Sequence, residues 1–218
     1  MNKILITGFQ HSGTTLLQQL INCHPEVGWI ESEEGYIEFD KPKDWIVMMA
    51  KKRVPNLKKY AWGEKIPWGN RPSDKHGERV IGFSKKWLKF FGKKARIIHI
   101  LRHPIDVASS GSLNGSPGKE ALDLIFNSLP KYIDFINLDR RCATILYEDL
   151  VLNPEIYLPK IFKFLNLQND EEVVENVMNT TLKFSRINPE RAYVHRVKSN
   201  SNLEIDYDQF IKRLKNKL

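Results

Sequence analysis

The stretch that decides the fold runs from residue 4 to residue 21 and reads ILITGFQHSGTTLLQQLI. It opens with an apolar run that ends at Gly8, passes through a polar loop that ends at Gly13, and then places leucine and isoleucine at helical spacing. This order predicts a buried strand, a glycine-bounded loop and a helix. His24-Pro25 ends the helix, because the residue before proline is pushed away from helical angles.

The rest of the chain continues to alternate strands with helices. Further strands are predicted at 95–101 and 142–147, and helices near Pro104 and at 119–137, 154–165, 170–178 and 207–217. Residues 26–90, rich in proline, glycine and tryptophan, show little periodicity beyond a helix at 43–52 and are typical of a binding cleft for the acceptor. The alternation predicts a three-layer α/β/α fold with a central parallel sheet, similar to P-loop NTPases, in which ligands bind beyond the carboxyl ends of the strands.

Length and composition fit one domain with an anionic partner. A chain of 218 residues with 41% apolar content supports a single core over 1–218, with residues 166–218 as a helical region. The formal charge of +8 favours a nucleotide, an acidic glycan, nucleic acid or a membrane surface. Cys23 and Cys142 lie in apolar segments, which predicts reduced thiols. No stretch approaches the ~20 apolar residues of a membrane span and the start is too short for a signal peptide, so a cytoplasmic protein is expected.

The loop after the first strand has the glycine spacing of a Walker-type phosphate loop but lacks its lysine. Thr14 stands where a P-loop NTPase carries that lysine, which argues against an ATPase or GTPase. Backbone N–H groups at the helix start and the hydroxyls of Ser12, Thr14 and Thr15 remain, and these predict an anion site. An ordinary strand-to-helix turn is the alternative.

The run Ser12-Gly13-Thr14-Thr15 resembles the loop of sulfotransferases that use PAPS (3′-phosphoadenosine 5′-phosphosulfate). Their loop commonly reads Pro-(Lys/Arg)-Ser-Gly-Thr-Thr, so Gln10 replaces the proline and His11 replaces the base. The resemblance implies that residues 10–15 bind the 5′-phosphosulfate. It also implies that a protonated His11 supplies the charge for which the family uses lysine or arginine, with a strength that depends on pH.

Two further segments extend this resemblance. Arg102 follows the 95–101 strand and Ser110 lies eight residues later, which matches the family residues that bind the 3′-phosphate. A planar arginine fork suits phosphate oxygens. The run Tyr147-Glu148-Asp149-Leu150 resembles a segment that places Tyr147 near the nucleotide. In the alternative interpretation Tyr147 only packs and the two acidic residues only begin the next helix.

The resemblance also implies a general base. In tyrosylprotein and several bacterial sulfotransferases, a glutamate shortly after the first helix has this role. Counting from the His-Pro turn reaches Ser32, between Glu31 and Glu33, and Glu33 is slightly preferred. Glu34 belongs to the same acidic run, and a solvated acidic run is the alternative interpretation.

A second catalytic group is implied by Gly63-Glu64-Lys65-Ile66-Pro67. This run resembles the Lys-x-Pro segment of the glutamate-type enzymes, in which the lysine reaches the leaving oxygen of the sulfuryl donor. Lys65 would then supply the charge that a neutral His11 does not. A solvated surface lysine is the alternative.

Together these segments predict in-line transfer of a sulfuryl group from PAPS to a hydroxyl or amine of an acceptor, such as a glycan or another small molecule. A sulfuryl group carries less charge than a phosphoryl group and the sequence shows no ligand cluster, so no metal is expected. One alternative is a P-loop small-molecule kinase that uses ATP-Mg. The other is a non-catalytic protein that binds polyanions such as glycans or nucleic acid, although no nucleic acid is expected as partner of the enzyme.

Overall fold

The computed structural model of the chain describes residues 2–32, 59–68, 78–104, 106–107, 119–182, 211–214 and 217–218. In these ranges the strands are β1 (Lys3–Phe9), β2 (Val27–Ser32), β3 (Ala61–Trp68), β4 (Ala95–Leu101) and β5 (Cys142–Leu146). The helices are α1 (Thr14–Asn22), α2 (Glu78–Phe91), α3 (Lys119–Asn137), α4 (Tyr147–Leu152), α5 (Pro154–Phe164) and α6 (Glu171–Leu182).

The described strands form one parallel sheet in the order β2-β3-β1-β4-β5. The central strand β1 is buried on both faces, and Ile4, Leu5 and Ile6 are fully inaccessible to solvent. Such burial is typical of parallel strands covered by helices on both sides. Because β3 and β4 flank β1, the segments that leave these three strands emerge at the same edge of the sheet.

Two apolar cores cover the two faces of the sheet. One core lies under α1, α4, α5 and α6 and includes Leu17, Ile98 and Phe162. The other lies under α2 and α3 and includes Trp87 and Tyr132. The predicted three-layer α/β/α fold with a central parallel sheet is therefore confirmed.

The prediction of an irregular region at 26–90 is wrong for β2, β3 and α2. Strand β3 escapes a search for apolar runs because its buried positions include Gly63, Glu64 and Lys65. At Gly63 a Cβ atom would lie 1.7 Å from the Ile4 carbonyl oxygen, so the packing of β3 on β1 leaves no room for a side chain. The helix predicted at 43–52 lies outside the described residues.

Most other predicted elements are confirmed with small shifts at their ends. The helix at 119–137 and the strand at 95–101 have the predicted bounds, and residues 104, 106 and 107 are helical. Tyr147 opens α4 instead of ending β5. A helix that continues to residue 217 is wrong, because Lys217 forms a parallel bridge with Thr144 of β5.

Candidate active site

The loop between β1 and α1 turns sharply through two left-handed residues. His11 has φ 66° and Gly13 has φ 98°, and between them the Ser12 N–H donates to the Phe9 carbonyl at 3.0 Å. The Leu17 N–H donates to the Gly13 carbonyl at 3.0 Å and is the first helix-type bond of α1. The N–H groups before it have no partner within the helix, and a cluster of this kind binds anions.

The three loop hydroxyls have different environments. Ser12 is fully buried, and its Oγ donates to the Phe9 carbonyl at 2.6 Å, so this hydroxyl proton stabilises the loop itself. Thr14 is buried at the first position of α1, whereas Thr15 is exposed. Gln10 is half-buried at the end of β1. Among the predicted hydroxyl ligands, Thr15 is the exposed one.

Lys65 reaches the loop from the neighbouring strand β3. Its side chain is 2% exposed, and Nζ donates to Thr15 Oγ1 at 3.0 Å. Strand β3 pairs with β1 so that Lys65 is the register partner of Ile6, on the face covered by α1. An ammonium group taken out of water is costly unless anionic or polar groups surround it. The predicted Lys-x-Pro lysine therefore lies at the start of α1 and is not a solvated surface charge.

Arg102 reaches the same loop from the other side. Its Nη1 donates to the His11 carbonyl at 3.2 Å, and its Cζ lies 4.5 Å from the centroid of the Tyr147 ring. An arginine at this distance from an aromatic face gains a cation–π contact. The turns after β1, β4 and β5 thus meet at one place, through the loop, Arg102 and Tyr147.

The Tyr147 ring also packs directly on Gly13. A Cβ atom at Gly13 would lie 2.4 Å from Tyr147 Cδ2, which is far below contact distance. Gly8 is equally constrained, since its Cβ would lie 2.6 Å from Ser12 Oγ and 2.7 Å from the Ile100 carbonyl. Both glycines of the Walker-like spacing are required by these close contacts.

Glu148 orients the segment that carries Arg102, a role that the sequence did not reveal. Its side chain is 6% exposed, and Oε1 accepts the His103 N–H at 2.9 Å. This bond ties the exit of β4 to the first turn of α4. The Tyr-Glu-Asp-Leu run contains Glu148, but an acidic residue in the first turn of a helix is also explained by its favourable interaction with the helix dipole.

His24, in the His-Pro turn, has a structural role. Its Nδ1 accepts the Glu26 N–H at 3.1 Å, so the proton is assigned to Nε2, which donates to the Gln168 carbonyl at 2.8 Å. The Glu26 carboxylate also accepts the Gln168 N–H at 2.7 Å. These bonds join the end of α1 to the segment before α6, and they set the path by which the chain enters β2.

A buried polar network lies under the sheet near the end of β1. Thr7 Oγ1 is 3.0 Å from His99 Nδ1 and also hydrogen-bonds the Tyr132 hydroxyl. Burial lowers the pKa of His99 to about 3 and raises the pKa of Tyr132. His99 is therefore neutral at physiological pH. The network joins β1, β4 and α3, and no pattern in the sequence predicts it.

Two predicted site residues, Glu33 and Ser110, lie outside the described residues. Glu34 lies outside them as well, and for Glu31 the structure describes the backbone, in β2, but not the side chain. In the sheet Glu31 is the register partner of Glu64, and Ser32 is the register partner of Lys65. Strand β2 thus ends beside the segment that carries Lys65.

Within the described ranges, no group of three or more histidine, cysteine, aspartate or glutamate side chains is arranged to hold a metal ion. Both cysteines are free thiols. Among the same residues, no helix combines the length and the apolar character needed to cross a bilayer.

This fold and loop define an α/β protein in which the turn after β1 lies between the side chains of Lys65 and Arg102. The chain belongs to the sulfotransferase family, because the family profile described as "Sulfotransferase domain" matches residues 1–217. Comparison with curated protein sequences returns no match.

Solved structures of sulfotransferases share the fold. The sulfotransferase domain of the Synechococcus PCC 7002 olefin synthase is 18% identical, with a TM-score of 0.64 over 97% of this chain and 94% of that one. The sulfotransferase domain of the curacin biosynthetic pathway is 15% identical, with a TM-score of 0.62 over 96% and 97%. Mouse sulfotransferase SULT7A1, complexed with PAP, is 16% identical, with a TM-score of 0.59 over 99% and 85%.

Proposed function

We propose that the chain transfers a sulfuryl group from PAPS to a hydroxyl or amine of an acceptor. The observation that carries this proposal is the position of Arg102, which donates to the His11 carbonyl and lies on the Tyr147 ring. A loop of backbone N–H groups and an arginine fork on adjacent strands are suited to a nucleotide with two separate phosphate groups. The mouse relative complexed with PAP, which we take as 3′-phosphoadenosine 5′-phosphate, supports this class of donor.

The residues of the site fit such a nucleotide. Thr15 is exposed at the start of α1, and Lys65 places its ammonium on the Thr15 hydroxyl. The Tyr147 ring occupies the space over Gly13 that a Cβ atom would need, so an aromatic side chain covers this side of the loop. Arg102, with Ser110, would hold the 3′-phosphate, and residues 10–15 would hold the 5′ group.

When bound, PAPS supplies a sulfuryl group attached to a good leaving group. The Lys65 ammonium and the loop N–H groups would stabilise the negative charge that develops on the leaving oxygen, and the positive charge of a protonated His11 would add to this stabilisation. Glu33, or else Glu31, removes the proton from the acceptor as general base. Strand β2 ends beside Lys65, which supports the choice of a base from the segment that contains Glu31 and Glu33.

The proposal is tested by ligand-dependent thermal unfolding. Saturation with PAP at about 100 times its Kd should stabilise the chain by roughly 2.7 kcal/mol, whereas ATP-Mg should stabilise it much less. Arg102→Ala should weaken the binding of PAP far more than the binding of AMP. Arg140 is exposed and lies before β5, at the amino ends of the strands, so Arg140→Ala should leave both affinities unchanged. Equal stabilisation by ATP-Mg would favour the small-molecule kinase instead, and an unaltered preference in Arg102→Ala would remove Arg102 from the 3′ site.

The base and the acceptor need a turnover assay. Labelled PAPS screened against glycans, phenols, lipids and tyrosine peptides identifies an acceptor class. With that acceptor, Glu33→Gln should lower kcat and spare PAP binding, with Glu31→Gln as the matched comparison. Normal kcat in Glu33→Gln would assign the role to Glu31 or to another residue, and salt-sensitive binding of polyanions without turnover would favour a non-catalytic protein.

A further inference from the structure

Three consecutive residues at the start of α4 hold three segments that are distant in sequence. Tyr147 packs on the loop and on Arg102, and Glu148 accepts the His103 N–H. Asp149 faces a different segment, because its Oδ2 lies 3.0 Å from Nζ of Lys217. The turn that presents Tyr147 to the nucleotide site is therefore also attached to residues 217 and 218, which we call the 217–218 segment.

The 217–218 segment extends the sheet beside β5. Lys217 forms a parallel bridge with Thr144, and the Leu218 N–H donates to the Thr144 carbonyl at 2.9 Å. The Leu218 side chain is half-buried against the core under α1, α4, α5 and α6. The backbone of this segment is thus fixed on β5, and its lysine side chain is directed to the helix that follows β5.

Asp149 is held in a partly enclosed environment. Its side chain is 26% exposed and that of Lys217 is 36% exposed. Burial, and after it the Asp149 carboxylate, raises the pKa of Tyr157 in α5. Nζ of Lys160 lies 4.5 Å from the Tyr157 ring centroid. Asp149 thus lies between the 217–218 segment and Tyr157 of α5.

We propose that the ion pair between Lys217 and Asp149 is a positioning device for the nucleotide site. It holds the first turn of α4 against β5 and so keeps the Tyr147 ring on Gly13 and under Arg102. Without it, the turn moves more freely and Arg102 loses its aromatic platform. This inference rests on the proposed function, since Arg102 is the residue proposed to bind the 3′-phosphate. In these terms Lys217 and Asp149 are positioning residues and do not touch the nucleotide.

The test compares two variants in the same part of the chain. Lys217→Met removes the charge and keeps most of the side-chain volume. Arg213→Met is the matched control, because Arg213 pairs with Asp134 of α3 at 2.8 Å and does not contact α4 in the described structure. Lys217→Arg preserves the charge and serves as rescue. If Lys217→Met does not fold, Asp149→Asn breaks the same pair from the other side.

The first readout is hydrogen exchange of the chain without ligand. Amides at 147–150 and in the loop at 11–16 should exchange several-fold faster in Lys217→Met and at the wild-type rate in Arg213→Met. The second readout is the affinity for PAP relative to AMP, which should fall about three- to tenfold in Lys217→Met only. In the turnover assay, KM for PAPS should rise while kcat is retained, and Lys217→Arg should restore all three quantities.

The inference is overturned by unchanged loop exchange in Lys217→Met, and also by equal changes in Lys217→Met and Arg213→Met. Faster exchange with an unaltered preference for PAP over AMP overturns it too, since the pair would then have no link to the 3′-phosphate. Failure of the wild-type chain to bind PAP would reject the proposed donor, and the exchange measurement would still decide whether the ion pair orders the loop.

Discussion

Replacing Gly13 with alanine should destabilise the chain through two separate effects. The backbone at Gly13 has φ 98°, a left-handed conformation that costs an L-residue roughly 1–2 kcal/mol. The new Cβ would also lie 2.4 Å from Cδ2 and 2.9 Å from Cε2 of Tyr147, so the ring must move. Forced repacking of this kind costs about 1–3 kcal/mol. We expect the free energy of unfolding to fall by about 2–5 kcal/mol in all.

Urea and thermal unfolding of four proteins measure this effect: the wild type, Gly13→Ala, Tyr147→Ala and the double variant. A loss of about 3 kcal/mol corresponds to a decrease in Tm of about 6–12 °C for a chain of this size. Tyr147→Ala removes the ring that the new Cβ would strike, so adding Gly13→Ala to this variant should cost only the backbone part. The missing steric part should appear as a coupling energy of about 1–3 kcal/mol between the two substitutions.

Strict additivity of the two single variants would refute this reasoning, because it would mean that the Tyr147 ring does not lie on Gly13. A fully stable Gly13→Ala variant would refute it as well, since neither the left-handed backbone nor the close contact would then exist.

Lys65→Met keeps the shape of a buried side chain but removes the ammonium that donates to Thr15, so turnover should fall by about 10²–10³. Its unfolding free energy should change little, and wild-type turnover would exclude Lys65 from catalysis. For His99, the pKa of about 3 in the folded chain lies below the ordinary 6.5, so protonation favours the unfolded chain. This contribution to stability is complete above about pH 6.5 and falls as pH drops towards 3, by up to ~1.4 kcal/mol per pH unit. His99→Gln should flatten this slope in urea unfolding between pH 4 and 7, and an identical slope would contradict the assignment.

The elements predicted from sequence all have an apolar buried face, although α2, which buries Val80, Trp87 and Leu88, is missed. The run from Ile4 to Ile21 predicts β1, the loop and α1 because its apolar pattern changes from a continuous run to helical spacing at Gly13. The same principle predicts β4 and α3 with the observed bounds. Strand β3 could not be found in this way, because Lys65 and Glu64 are buried and Gly63 packs against β1 without a side chain.

For the candidate site, the positions of the motifs could be predicted but not the contacts. Parallel strands place the turns after β1 and β4 at one edge, which predicts that Arg102 approaches the loop. That Ser12 uses its hydroxyl within the loop, or that Glu148 holds the His103 N–H, depends on side-chain orientation in the packed structure. No periodic pattern carries this information.

The packing of the Tyr147 ring on Gly13 has a consequence for biosynthesis. A nascent chain extended to residue 140 already contains the loop and Arg102, but it lacks β5 and the aromatic ring that closes the site on Gly13. Contacts between segments so far apart in sequence form slowly compared with local ones. The contact between Gly13 and Tyr147 therefore cannot form before β5 and the first turn of α4 have been synthesised, and under the proposed function a nucleotide would protect the polypeptide only after β5 has docked.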